Sequence, residues 1–138
     1  MSPLEPIAPD DAIVLQSEHR DVDALLGEFI QAAWSGALAD AVDAIARLDD
    51  AVRVHMSAEE QLFPPAPAKL AATAGESEPE AFFRELRLEH VQIRELSGMI
   101  RRVLGESADL SAAQNLAAGL AKRWEAHTKR EEEEWMRV

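Results

Sequence analysis

His55-Met56-Ser57-Ala58-Glu59-Glu60 returns further along the chain as His127-Thr128-Lys129-Arg130-Glu131-Glu132, and this doubled stretch decides the fold. A residue and its fourth neighbour share one face of a helix, so each stretch aims an imidazole and a carboxylate at one point. A single such pair is a weak signal in a glutamate-rich chain; its repetition gives it weight. The chain has 4 histidines, with His19 and His90 71 residues apart and His55 and His127 72 apart. Their flanks repeat as well: Leu15-Gln16-Ser17-Glu18-His19 parallels Leu86-Arg87-Leu88-Glu89-His90. Each half therefore reads as one helical hairpin, used twice.

Every histidine lies on an apolar stripe of helical period. The first stripe runs Leu15, His19, Val22, Leu26, Phe29, Ile30 and Ala33, with Asp10-Asp11 as the expected cap and Ser35-Gly36 as the stop. A second helix is expected from near Asp40, carrying Ile45, Leu48, Val52, His55, Glu59 and Leu62 until Pro64-Pro65 ends it. The stretch from Pro64 to Pro79, with Pro67 and Gly75, reads as the longest connection. Ser77 with Glu80 has the spacing of a capping box. A third helix then carries Phe83, Leu86, His90, Ile93, Ser97, Ile100 and Leu104, with Gly105 as its expected stop. Ser111 with Gln114 is expected to open the fourth, whose stripe holds Ala113, Leu116, Ala117, Leu120, Trp124, His127 and Glu131. With no β-type alternation and mostly short connections, the chain reads as all-α. The expected architecture is an antiparallel up-down-up-down four-helix bundle with an internal two-fold hairpin repeat.

At 138 residues the chain suits one domain, read as residues 1–138 with 1–10 as an N-terminal extension. It contains no cysteine, which excludes disulfides and thiolate ligands. Residues 1–11 lack the basic flank and apolar run of a signal peptide or membrane span, so a cytoplasmic location without membrane attachment is expected. A net charge of −12 repels phosphate backbones and argues against nucleic-acid binding.

One inward histidine per helix and two inward glutamates would bury six ionisable side chains in a small core. Left unpaired, each buried charge costs several kcal/mol, against a total stability of about 5–15 kcal/mol. Cations resolve that conflict, so His19, His55, Glu59, His90, His127 and Glu131 are the candidate metal ligands. Glu60 and Glu132 are turned by ~100° from their neighbours and read as flanking the site rather than bridging it, as solvated acids first and as supports behind the ligands in the alternative. Glu18 and Glu89 do not share a face with His19 and His90 and also read as surface acids, a hydrogen bond to a neighbouring imidazole being the alternative. Trp124 and Leu86, one turn before His127 and His90, are placed to line the site; Trp34 and Trp135 carry no functional reading. Nitrogen and carboxylate donors without thiolate suit Fe, Mn or Zn.

With this helix order and both H-x3-E motifs, the chain resembles the hemerythrin-like, or HHE cation-binding, family over about residues 10–136. The resemblance implies a non-haem di-iron site: His19 and His55 on one iron, His90 and His127 on the other, Glu59 and Glu131 bridging, with an oxo or hydroxo bridge. Oxygen-carrying hemerythrins have a further histidine where this chain has Leu86, which puts reversible O2 carriage in doubt and leaves coordination positions for water, O2, peroxide or NO. Three functions follow as expectations. The leading one is a di-iron protein that binds O2 or a related small ligand in sensing, storage or protection. The second is a di-iron enzyme, peroxidase-like, catalase-like or scavenging NO, although the sequence offers no dedicated acid–base residue for it. The third is a metal-free helical interaction module.

Overall fold

The computed structural model describes residues 4–65 and 75–137. Four α-helices account for most of them: α1 Pro9–Trp34, α2 Leu38–Leu62, α3 Glu78–Ser107 and α4 Leu110–Glu131, the last running on into a short π-helix, Glu132–Met136. Each helix packs on its sequence neighbour and α1 also packs on α4, which closes a ring of four. The α1–α2 connection is Ser35-Gly36-Ala37, and Gly36 takes φ 78°, a left-handed conformation that glycine adopts without a Cβ clash. The α1–α2 and α3–α4 connections are both this short and force their helices antiparallel, and the packing of α2 on α3 and of α1 on α4 completes the expected bundle.

The helix ends depart from expectation in several places. Asp10 and Asp11 lie inside the first turn of α1, where their charge complements the helix dipole, and the cap position is Ala8. Similarly, α2 opens at Leu38, before Asp40. Gly105 does not stop α3; the helix runs to Ser107 and ends on Ala108 at φ 50°. Asp109, not Ser111, caps α4 by accepting from Ala112 N at 3.0 Å, and Gln114 instead donates to Ala33 O across the bundle at 2.9 Å. The Ser77 cap is as expected, accepting from Glu80 N at 3.2 Å. Of the 64–79 connection, residues 66–74, Pro67 among them, lie outside the described residues.

The apolar stripes divide into two clusters. The larger, including Val22, Phe29, Ile45, Leu48, Val52, Ile100, Leu120 and Trp124, fills the bundle toward the α1–α2 and α3–α4 turns. The smaller, built from Ala12, Leu15, Phe63, Phe82, Phe83, Leu86, Trp135 and Met136, plugs the opposite end. Trp135, unassigned from sequence, is 2% exposed in this plug, its ring 5.3 Å from Phe63 and 5.5 Å from Phe83. Residues before α1 join it: Leu4 and Ile7 pack on the cluster, and Ile7 N donates to Trp135 O at 3.2 Å.

One buried acid ties helices together away from the histidines. Asp49 on α2 is 3% exposed and accepts from Ser97 Oγ on α3 at 2.6 Å, Arg53 at 3.2 Å and Arg101 at 3.1 Å. A buried carboxylate with three donors is held rather than stranded. No described helix is long and apolar enough to cross a membrane.

Candidate metal centre

A polar layer separates the two apolar clusters, and it consists of the six residues singled out by spacing. His19, His55, Glu59, His90, His127 and Glu131 are each at most 2% exposed. One histidine comes from each helix and the acids from α2 and α4, because the helical period returns every fourth residue to the interior.

The two carboxylates occupy the centre and the imidazoles surround them, Nε2 inward. Glu59 Oε2 lies 2.9 Å from His55 Nε2 and 3.3 Å from His19 Nε2, while its Oε1 lies 2.9 Å from His90 Nε2 and 3.7 Å from His127 Nε2. Glu131 Oε1 stands between His19 Nε2 at 3.1 Å and His127 Nε2 at 3.2 Å, with its Oε2 3.9 Å from His90 Nε2. Donor atoms of His19, His55, Glu59 and Glu131 fall within 4.8 Å of one another, as do those of His90, His127, Glu59 and Glu131. Two four-residue clusters thus share both acids.

Outside this ring stand the glutamates first read as solvated or surface acids, and for Glu18, Glu60 and Glu89 the structure corrects that reading. His55 Nδ1 donates to Glu18 at 2.8 Å, His127 Nδ1 to Glu89 at 2.6 Å and His90 Nδ1 to Glu60 at 2.9 Å. Glu132 approaches His19 Nδ1 to 3.4 Å, out of hydrogen-bond alignment. Each pair joins different helices, which a one-helix register cannot show. The signal was nevertheless present, because Glu18 and Glu89 recur 71 residues apart and Glu60 and Glu132 72 apart, at the histidines' own offsets. A proton held on Nδ1 by an outer carboxylate leaves the Nε2 lone pair facing inward.

Burial alone disfavours a charged imidazole, yet the hydrogen bonds and charges of Glu131 and Glu59 outweigh it and lift His19 to about 9. His90 rises to about 9 for the same reasons, with Glu60 adding to the effect, and His127 is pushed well above its ordinary value. Glu59, despite burial that opposes ionisation, is held well below the usual carboxylate range by four imidazoles. His90 and Arg94 draw Glu60 down to about 2.

The residues fit a pair of cations. His55 Nε2 and His127 Nε2, though 2.9 and 3.2 Å from a carboxylate oxygen of their own helix, make no aligned hydrogen bond, and Glu131 Oε2 makes none either; all three are buried and face the centre. Three orphaned polar atoms are costly in a protein interior and are atoms a metal would satisfy. The surroundings close the layer. Trp124 packs edge-on against His19 and His55 at 5.5 and 5.8 Å and is fixed by its Nε1 donating to Asp23 at 2.7 Å. Phe63 lies 5.6 Å from His90, and Leu86 is fully buried in the plug beside it.

The protein-family model described as hemerythrin HHE cation binding domain matches residues 11–138. The chain belongs to that family. No curated protein and no solved structure matches it.

Proposed function

We propose that this hemerythrin HHE domain holds two iron ions, His19 and His55 on one and His90 and His127 on the other, with Glu59 and Glu131 shared, and that it binds O2 or a related small ligand. The proposal takes residues 1–138 as one such domain, with 1–10 as an N-terminal extension. The observation that carries it is the convergence of four inward Nε2 atoms on two buried carboxylates, with three of the central atoms unpartnered.

Iron in this donor set supplies a redox centre with coordination positions left for a small ligand. The chain's own residues do the rest. Glu18, Glu60 and Glu89 fix the tautomer and orientation of His55, His90 and His127. Phe63, Phe83, Leu86 and Trp135 exclude water from one side of the layer and Trp124 from the other. Leu86 stands where the family's oxygen carriers have another histidine, so two histidines remain on each side. The acids around the centre already face imidazoles, which supports ligand binding over turnover of peroxide.

Anaerobic loading with Fe(II) is expected to give two irons per chain, and admission of O2 to produce charge-transfer absorption in the near ultraviolet and visible. A two-iron product that stays colourless in air would overturn the O2 reading, and steady turnover of H2O2 would make the protein an enzyme instead.

A further inference from the structure

Two clefts lead from solvent to the polar layer, and the internal repeat makes them counterparts. One, about 310 Å³, lies between α1 and α2 over Glu18 and His55. The other, about 320 Å³, lies between α3 and α4 over Glu89 and His127. Their apolar walls also correspond, Val22 with Ile93 and Val54 with Ala126. Their charges do not. The first is lined by Glu18, Asp21 and Asp50 and by no cation, although Arg101 reaches Asp50 from outside at 3.1 Å. In the second, Gln92 replaces Asp21, Arg123 replaces Ala51, and Arg130 stands over Glu89.

The outer glutamates divide along the same line. Glu89 and Glu60, which hold His127 and His90, are each clamped by an arginine, Arg130 at 2.9 Å and Arg94 at 2.8 Å. Arg130 is itself fixed by Glu85 and Glu134. Glu18 and Glu132, facing His55 and His19, meet no arginine among the described residues.

We propose that divalent cations enter the centre through the α1–α2 cleft, and that the His19–His55 position exchanges its ion while the His90–His127 position retains its own. This rests on the two-metal reading above. Exposed Asp21, Asp50 beside it and Glu18 below them on His55 concentrate cations and offer carboxylate oxygens on the way in. The cleft floor is His55, 1% exposed, whose unpartnered Nε2 faces the metal position beyond. On the α3–α4 side, Arg123 places a positive charge in the cleft, and Arg130 occupies the carboxylates of Glu85, Glu89 and Glu134 that would otherwise receive a divalent ion. Release requires an imidazole to swing off the metal, and a carboxylate pinned by arginine resists that swing, whereas Glu18 and Glu132 can follow it.

The test exchanges the charges of the clefts and follows Co(II) uptake by stopped-flow absorbance. Asp21→Gln with Ala51→Arg gives the α1–α2 cleft the character of its counterpart, and is expected to slow loading about tenfold at low salt, less at high salt, with two cobalts still bound at the end. Gln92→Asp with Arg123→Ala makes the reverse change and is expected to leave loading unchanged or up to about twofold faster. Asp21→Asn alone, at an exposed position, should slow loading in the same direction by a smaller factor. Chelator should then strip wild-type protein in two phases of one cobalt each, with Arg130→Gln accelerating only the slow one. Wild-type protein that takes up no cobalt would defeat the two-metal reading and this inference together. Two cobalts loaded at rates indifferent to the α1–α2 changes, or slowed by the α3–α4 changes, or released in one phase, would defeat this inference alone.

Discussion

The half built from α1 and α2 and the half built from α3 and α4 agree at the centre and differ around it. Each presents an Nε2 from both of its helices and a carboxylate from its second, and each braces that second helix's histidine with the glutamate preceding its first helix's histidine. Beyond that shell the first half is acidic and open-handed, the second laced with arginine. Requirements of cation binding act on both halves alike, whereas access and retention need be met only once. Symmetry therefore marks what any occupant must have, and asymmetry marks how the two positions are used.

The shared acids bind the two halves together. Glu59 touches imidazoles of both halves, so Glu59→Gln should reduce metal content from two ions per chain to none, whereas His127→Ala should spare one. Elemental analysis of the purified variants decides between them, and equal losses would mean that the halves do not share their acids.

Chelation should lower the melting temperature by about 10 °C or more, since ions that bind only the folded bundle can contribute about 4 kcal/mol at a thousandfold excess over Kd. Calorimetry before and after verified metal removal measures it; coincident curves would mean the centre folds without cations.

Acidity separates the loaded from the stripped protein by sign. In the metal-free state His19 and His90 titrate at about 9, above their unfolded value near 6.5. That stabilisation is complete below about 6.5 and fades as pH rises through 9. Each bound ion must displace those protons, so affinity should fall as pH drops below about 9. Stripped protein is thus expected to melt lower at pH 10 than at pH 6, and loaded protein lower at pH 5 than at pH 8. Parallel trends in the two forms would contradict the assignment of protons to the cation positions.

The smallest expected effect, and the finest, compares the outer acids. Glu18→Gln and Glu89→Gln should each weaken metal binding by about 10–100-fold, measured by competition with a chelator. Glu89→Gln should cost more, because it also strips Arg130 of a partner.

Most of this was legible in the sequence where helix period alone decides which way a side chain points. The bundle and the six inward polar side chains follow from stripes such as Ile45, Leu48, Val52, His55 and Glu59, since burial on one face needs no knowledge of the neighbouring helix. What was missed depends on that neighbour. Glu60, turned from Glu59, looks solvated in the register of α2 alone, which does not place His90 of α3 beside it. Trp135 looked idle because its partners Phe63 and Phe83 come from the other helices of the plug. Helix ends failed for a local reason: Ala108 itself takes the left-handed conformation that ends α3, three residues past Gly105, and Asp109 competes with Ser111 for the same exposed amides.

The central claim is that six side chains hold two cations, one per histidine pair, across shared carboxylates. Crystals of iron-loaded protein measured at the iron absorption edge test it most directly. Two anomalous peaks are predicted, one against His19 and His55 and one against His90 and His127, both in reach of Glu59. One peak midway, peaks elsewhere on the surface, or none would contradict it.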